Sequence, residues 1–224
     1  MRFCAASDQA VLVYLGEEVG LSAHERVLKL LGALQANPPA WLRNLQPAYC
    51  SLLISFDPAL VDHATVEASL REHEQRAEST RAIKRKTLEV PVCYDLQFGL
   101  DLQEVARLHQ LTVSKVIQQH CSRLYHAYFL GFAPGFAYLG DLPQEIATPR
   151  LESPRKQVPA GSVAIAGQQT AVYPFAMPGG WRLLGRTPLS FFRPDRVPMA
   201  LVSLGDQVRF HPISRDEFQN WKHA

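Results

Sequence analysis

Long apolar runs, clustered cysteines and an excess of one charge are all missing from this sequence. No apolar run approaches the roughly 20 residues that a membrane-spanning helix needs. The first residues, MRFCAASDQA, do not resemble a signal peptide. The formal net charge of +2 over 224 residues argues against a dedicated nucleic-acid-binding protein, which would carry a strongly basic face. Together these absences predict a soluble cytoplasmic protein that binds neither nucleic acid nor a membrane.

Motifs for metals and phosphates are missing as well. The four cysteines, at positions 4, 50, 93 and 121, match no zinc-binding spacing and are predicted to be free thiols. The eight histidines form no H-E-x-x-H pattern, so no metal site is predicted. Neither G-x-x-x-x-G-K-[ST] nor G-x-G-x-x-G occurs, which means that no recognised phosphate-binding loop is present.

The first part of the chain alternates strands and helices. Apolar, β-rich runs predict strands at residues 10–15 and 49–56. A capping box, Ser22 with Glu25, predicts the start of a helix that ends before the two prolines at 38 and 39. A second, more polar helix is predicted over residues 61–77. This pattern favours a small sheet with helices on one face.

A charged segment separates this part from a second one. Residues 79–89 have little apolar periodicity and are interpreted either as a linker or as the solvated end of a helix. We predict an α+β domain over residues 1–85 and a second domain over residues 86–224.

The sequence of the second domain predicts a largely β structure. A strand is predicted near residues 88–94, followed by two short helices capped by Asp101 and Thr112. Short apolar runs between Gly and Pro turns then predict further strands, at residues 125–132, 162–166, 170–173, 181–186 and 207–210. Many short strands with frequent turns are typical of a closed or sandwiched β domain.

Glycine and proline are concentrated in this second domain. Residues 131–189, about a quarter of the chain, hold eight of the 13 glycines and eight of the 16 prolines. Loops on a β scaffold are where binding sites usually lie. In the stretch GFAPGFAYLGDLP, the aromatic residues Phe132, Phe136 and Tyr138 are therefore predicted to line a groove or to form its floor.

The stretch TPRLESPR carries two arginines on a stiffened backbone. Pro149 and Pro154 hold their neighbourhoods extended, so Arg150 and Arg155 project from rigid segments. Two guanidinium groups of this kind can hold a carboxylate or a phosphate. The alternative is a pair of surface or interface arginines.

Two further stretches combine small residues with donors. In VPAGSV, Gly161 beside Ser162 either lets the backbone approach an anion or forms a tight turn into a strand. In FAMPGGWRLLGRTP, Trp181 follows a glycine pair and is either a ligand wall or part of the core. Arg186 and Thr187 then offer possible donors.

These stretches, in this order, resemble the KipI family. The matching text is FLGFAPGFAYLGDLP, TPR, VPAGSVAIAGQQTAVYP, PGGWRLLGRTPLSFF and GDQVRFHPI, which covers nearly all of the second half. NLQPAYCSLLISFDP and PVCY add a weaker match earlier in the chain. The family includes the B subunit of bacterial ATP-dependent 5-oxoprolinases, proteins known as allophanate hydrolase subunit 1, and a domain of urea carboxylase.

The resemblance implies a fold, a reaction and partners. It implies a small α+β amino-terminal domain followed by a cyclophilin-like β-barrel. It implies an enzyme subunit, inactive alone, that works with ATP, whose Mg²⁺ arrives with the nucleotide, and with a C subunit. An A subunit then completes the opening of 5-oxo-L-proline to L-glutamate. The alternatives within the family are a KipI-like inhibitor of a histidine kinase and a part of an allophanate hydrolase or urea carboxylase system.

The matching motifs also imply a set of substrate-binding residues. They are Pro134, Gly135, Phe136, Arg150, Arg155, Gly161, Ser162, Gln169, Tyr173, Gly179, Gly180, Trp181, Arg186 and Thr187. The segment YDLQFGLDL departs from the family text, because Asp95 and Leu96 replace a glycine pair and Leu100 replaces a proline. The family text also favours glycine where this chain has Ser7, Ala164 and Ala171.

Overall fold

The computed structural model describes residues 1–77 and 85–221. Contacts within the chain divide it into two compact units, Met1–Lys84 and Arg85–Ala224. Most of the predicted linker, residues 79–84 of 79–89, lies outside the described residues.

The amino-terminal unit is an antiparallel sheet with two helices. Its elements are β1 (Arg2–Ser7), β2 (Ala10–Tyr14), α1 (Leu21–Ala36), β3 (Leu42–Pro47), β4 (Ser51–Phe56) and α2 (His63–Ala77). The strand order is β1-β2-β4-β3. Buried side chains alternate along the two central strands, at Val11 and Val13 and at Leu52 and Ile54, so one face forms the core. Helix α1 packs on this sheet and against α2.

Two details of this unit differ from the sequence prediction. Helix α1 begins at Leu21 with Gly20 as its N-cap and no side-chain cap bond, so the predicted Ser22 capping box is wrong. Ser22 lies inside the first turn, where its hydroxyl is past the capping position. The edge strands β1 and β3 were not predicted, because their sequences, RFCAAS and LRNLQP, are polar or mixed and mostly exposed.

The carboxy-terminal unit contains the remaining elements. Its strands are β5 (Thr87–Val92), β6 (Leu124–Leu130), β7 (Ala137–Gly140), β8 (Arg155–Val158), β9 (Ser162–Ala166), β10 (Gln169–Val172), β11 (Met177–Gly179), β12 (Arg182–Arg186) and β13 (Gln207–Pro212). Its helices are α3 (Leu102–Leu108), α4 (Val113–Cys121) and α5 (Arg215–Gln219), with one 3₁₀ turn at Gln144–Ile146.

Seven of these strands curve into a nearly closed barrel. Their order is β12-β9-β10-β7-β6-β13-β5, and only the β5–β13 pair is parallel. A bridge between Cys93 and Arg186 joins the two ends, because each residue's N–H donates to the other's carbonyl oxygen, at 2.8 and 3.0 Å. The predicted α+β fold with a β-barrel in its second half is therefore confirmed. Strands β8 and β11 form a separate two-stranded sheet.

Helix α4 places a histidine in the barrel interior. His120 is fully buried, with its Nδ1 2.7 Å from the Tyr94 hydroxyl and its Nε2 2.9 Å from Thr170 Oγ1. The Thr170 hydroxyl donates to the Ala164 carbonyl oxygen (3.0 Å), so it accepts from Nε2–H, and Nδ1 accepts from Tyr94. Burial lowers the pKa of His120 to about 3, which keeps the ring neutral.

Two chain-wide predictions are tested by this fold. All four cysteines are free, as predicted. Within residues 1–77 and 85–221, no helix has both the length and the apolarity that crossing a bilayer requires.

Candidate functional site

The TPR segment is pinned in an extended conformation beside β12. The Gly167 N–H donates to the Thr148 carbonyl oxygen (2.8 Å), and the Leu151 N–H donates to that of Gly180 (2.7 Å). Arg182 Nε donates to the Pro149 carbonyl oxygen (3.2 Å). These bonds lie on both sides of Arg150, whose side chain remains exposed. The backbone of this arginine is therefore fixed while its guanidinium group is available.

An aromatic wall stands next to this segment. Phe136 is buried at its centre, and its ring centroid lies 5.1 Å from that of Tyr138 and 5.5 Å from those of Tyr173 and Trp181. Such edge-to-face packing favours a rigid cluster. Tyr138 is half-buried, whereas Phe132 is exposed at the surface. Of the three aromatic residues predicted to shape a groove, Tyr138 lines the pocket described below, whereas Phe136 packs against Tyr138 without lining it and Phe132 lies at the surface.

Gly179 allows strand β11 to pack closely against Tyr173 of the aromatic wall. A Cβ atom at this position would lie 2.2 Å from the Tyr173 hydroxyl oxygen, so only glycine lets β11 approach so closely. The Tyr173 hydroxyl also accepts a hydrogen bond from the Trp181 backbone N–H. The side chain of Trp181 is almost fully buried, which makes it both a core residue and a pocket wall.

The Arg150 pocket, as we name it, is lined by Tyr138, Arg150, Ala166, Gly167, Gln169 and Trp181. Its volume is about 340 Å³, which is near the lower end for small-molecule sites. Burial raises the pKa of Tyr138, and the nearby charge of Arg150 opposes that rise. The pocket therefore offers a guanidinium fork, a carboxamide and a neutral phenol against a flat indole. This donor set suits a small planar ligand with a carboxylate.

The second predicted arginine is in a different setting. Arg155 Nη2 donates to Asp101 Oδ1 at 2.8 Å, and Asp101 is almost fully buried. Asp101 Oδ2 accepts from the Leu183 N–H at 2.7 Å, which fastens the carboxylate to β12. The two guanidinium groups predicted to hold one anion together are thus separated in role: Arg150 lines the pocket and Arg155 is paired.

Arg155 also acts electrostatically on the Tyr173 hydroxyl. Burial raises the pKa of Tyr173, and the Trp181 N–H, Arg155 and Arg150 oppose the rise. Both arginines therefore lie close to the Tyr173 hydroxyl.

Sequence reasoning missed the role of Asp101, which it interpreted as a helix cap. The residue does stand at the N-cap of α3, but its side chain makes no cap bond. Its true partner, Arg155, lies 54 positions away. No local pattern signals a pair at that separation.

A second group of predicted residues lies elsewhere in the unit. Gly161, Arg186 and Thr187 line a cavity of about 340 Å³ together with Phe218 and Trp221. Arg186 Nε donates to the Ala160 carbonyl oxygen at 2.8 Å. Gly161 has φ +78°, the left-handed conformation that glycine adopts without strain.

The remaining predicted residues line neither cavity and instead contribute to the local backbone structure. Pro134 is exposed, and Gly135 occupies the turn before β7 with φ +78°. Ser162 is buried at the start of β9. Gly180 accepts the Leu151 N–H through its carbonyl oxygen.

The segment that departs from the family text forms a surface turn. Asp95 Oδ1 accepts from the Gln97 N–H (2.9 Å), and the Asp95 carbonyl oxygen accepts from Phe98 and Gly99. Leu96 and Leu100 are exposed. None of these residues lines the Arg150 pocket.

Comparison with known proteins places the chain in a family. The family model described as carboxyltransferase domain, subdomain C and D, matches residues 1–202, so the chain belongs to this family. The 5-oxoprolinase B subunit of Bacillus subtilis (strain 168) is 38% identical over 225 residues, covering 96% of this chain and 94% of that protein. The resemblance predicted from the motifs is confirmed.

Solved structures share the fold. The crystal structure of TTHA0988 superposes with a TM-score of 0.81 at 35% identity, covering 93% of this chain and 40% of that one. The Kluyveromyces lactis urea carboxylase superposes with a TM-score of 0.79 at 21% identity, covering 97% of this chain and 22% of that one. At that identity the likeness concerns the fold alone.

Proposed function

We propose that this chain is the B subunit of an ATP-dependent 5-oxoprolinase, which opens 5-oxo-L-proline to L-glutamate together with a C subunit and an A subunit. The observation that carries the proposal is the Arg150 pocket, a small site with one guanidinium fork and two neutral polar groups. The similarity to the Bacillus subtilis protein over almost the whole of both chains supports it.

The chemistry of the substrate matches the donors of the pocket. 5-Oxoproline is a small ring with a carboxylate at one end and a ring amide at the other. Arg150 pairs with the carboxylate, because a guanidinium group binds a carboxylate through two parallel hydrogen bonds. Gln169 and the neutral phenol of Tyr138 hydrogen-bond the ring amide, and the ring packs on the indole of Trp181. This chain thus holds and orients the substrate.

The Arg150 pocket does not fit ATP. It has about 340 Å³ and one cation, whereas a triphosphate needs several donors. When bound to the complex, ATP supplies the phosphoryl group that activates the ring amide. The role of this chain at the Arg150 pocket is to orient that amide and to exclude water from it.

A partner protein is part of the proposal. Phe132 is 65% exposed and has φ +69°, a conformation that costs a bulky residue on the order of 1–3 kcal/mol. Phe175 is also exposed. Large aromatic side chains held at a surface are typical anchors of protein interfaces. We place the C subunit on the surface around Phe132 and the complex in the cytoplasm, where ATP is available and free thiols persist.

The test is reconstitution. The chain is purified alone and co-expressed with its C and A partners, and 5-oxoproline-dependent ATP hydrolysis and glutamate release are measured. We expect activity only in the complete complex, and a stable complex with the C partner that buries at least about 1,200 Å². Full activity of this chain alone, or separate elution of the two proteins at micromolar concentration, would refute the shared-site proposal.

A further inference from the structure

A long cleft lies apart from the Arg150 pocket in the carboxy-terminal unit. It consists of two adjoining cavities, of about 340 and 550 Å³, that share Leu189, Ser190 and Trp221 as lining residues. We call it the Trp221 cleft. No residue that lines the Arg150 pocket also lines either cavity. Together the two cavities are large enough for a ligand well beyond the size of 5-oxoproline.

Cations line both cavities of this cleft. Arg186 lines the smaller cavity, and because its hydrogen bond to Ala160 uses Nε, both of its terminal nitrogens remain for a ligand. Lys86, Arg193 and Arg196 line the larger one. Arg196 is exposed and makes no ion pair within residues 1–77 and 85–221. Unpaired cationic side chains that line a cleft attract anionic ligands.

The acidic residues near the cleft already have partners. Glu89, which lines the larger cavity, pairs with Arg209 at 3.3 Å and lies 3.8 Å from His211. Asp195 pairs with Arg193 at 3.5 Å, and Asp206 pairs with Lys86 at 3.4 Å. Arg186 and Arg196 are therefore the cations left to meet a ligand.

The middle of the cleft offers a flat apolar surface. Trp221 is half-buried at the junction of the two cavities. The short helix α5, which precedes it, is held in place by a complete capping box at Ser214 and Glu217. Phe218 also packs on Phe98 with ring centroids 4.7 Å apart. Trp221 follows this helix by two residues, and its N–H donates to the Phe218 carbonyl oxygen at 3.5 Å. The indole therefore lies next to a fixed element that can support stacking with a planar ring.

We propose that the Trp221 cleft binds a nucleoside phosphate, with the base stacked on Trp221 and the phosphates paired with Arg196 in the larger cavity. This rests on the proposed function, since the complex needs ATP, and it assigns the nucleotide to this chain at a site separate from the substrate carboxylate. A purely anionic ligand would leave the indole and the neighbouring apolar side chains in water. A purely apolar ligand would leave Arg186 and Arg196 unmatched.

The experiment separates the charged part of the ligand from the ring. MgATP, inorganic triphosphate and adenosine are titrated by calorimetry into the chain alone and into its complex with the C partner. The variants are Arg196→Met and Trp221→Leu, and the matched control is Arg123→Met, an exposed arginine outside the cleft. Thermal melting of each variant checks that it is folded.

The expected pattern differs between the two variants. Arg196→Met should weaken MgATP and triphosphate binding by about 10-fold and leave adenosine unchanged. Trp221→Leu should weaken MgATP and adenosine by about 10-fold and leave triphosphate unchanged. Arg123→Met should change none of the three.

Each result decides the question. No MgATP binding by the chain or the complex, or binding that neither variant weakens, overturns the proposal. Binding that occurs only in the complex and that neither variant weakens places the nucleotide on the partner. Nucleotide binding with the expected pattern in a complex that does not consume 5-oxoproline upholds the cleft and refutes the proposed reaction.

Discussion

The Arg150 pocket and the Trp221 cleft are built on the same barrel in opposite ways. The pocket has a buried aromatic wall and a backbone fixed on both sides of its arginine, and a largely buried ion pair acts on the Tyr173 of that wall. The cleft is lined largely by loop residues, with Val197 almost fully exposed and Met199 half-exposed. A rigid site recognises a small ligand by shape, whereas an open, charged one suits a larger ligand that a second protein helps to enclose.

The two sites differ in whether the same residues contribute both to the free energy of folding and to the specificity of binding. In the pocket, the aromatic wall and the Asp101–Arg155 pair also stabilise the fold, so changes to them should affect stability and catalysis at once, whereas changes to the exposed Arg150 should affect catalysis alone. In the cleft, the exposed residues should affect binding alone.

The largest effect is expected from a variant that disrupts the support of the Arg150 pocket. Asp101→Ala should lower the free energy of unfolding of the carboxy-terminal unit by about 2–4 kcal/mol, because it leaves the largely buried Arg155 without its partner. It also removes the acceptor of the Leu183 N–H. Urea unfolding measures the loss.

The matched control for Asp101 lies on the same helix. Glu104 pairs with Arg107 at 2.8 Å, but both side chains are largely exposed. Glu104→Gln should leave the midpoint of unfolding almost unchanged, since exposed pairs contribute little. Equal losses in the two variants would contradict the view that Asp101 fastens the pocket.

The next effect concerns recognition by the pocket. Arg150→Lys replaces a planar fork by a point charge and should cost on the order of 1.5–3 kcal/mol of transition-state stabilisation, roughly 10- to 150-fold in kcat/KM for 5-oxoproline. The melting temperature should hardly move, because Arg150 is exposed and forms no ion pair in the described part of the chain. Steady-state kinetics of the assembled complex provide the measurement.

Nucleotide binding by the Arg150→Lys variant tests whether the Arg150 pocket and the Trp221 cleft are independent. If the pocket and the cleft are independent, Arg150→Lys leaves the Kd for MgATP as it was. A variant with normal kinetics that no longer binds the C partner would instead make Arg150 an interface residue.

A further effect, which depends on pH, probes the barrel interior. Because His120 has a folded pKa of about 3, the unfolded chain binds its proton first, at the ordinary pKa near 6.5. Stability is therefore full above pH 6.5 and falls by about 1.4 kcal/mol for each pH unit below it, towards pH 3. Urea unfolding between about pH 5 and 7.5 measures this slope.

His120→Gln provides the comparison, since it removes the titrating ring and should flatten the slope, whatever its cost at neutral pH. A slope of the same size in the variant would show that other groups are responsible.

Much of the fold was predicted from local patterns. The apolar runs that became β2, β4, β5, β6, β9, β10, β12 and β13 are short, β-rich and bounded by turn residues, and Thr112 caps α4 as its position suggested. Strands β7, β8 and β11 were not predicted, because they are only three or four residues long and lie among glycines and prolines. Short strands of this kind are stabilised by pairing with adjacent strands, and their own sequences show little β-propensity from which they could be predicted.

The sequence by itself determined which residue types are available: the Gly and Pro turns, the aromatic residues and the arginines between residues 131 and 189. Only the tertiary structure decided that Arg155 pairs with Asp101, that Arg150 stays free beside Tyr138 and Trp181, and that Arg186 belongs to a different cavity. The physical reason is closure of the barrel. Strand pairing brings together residues dozens of positions apart, and the contacts so formed depend on register and burial, which no local pattern encodes.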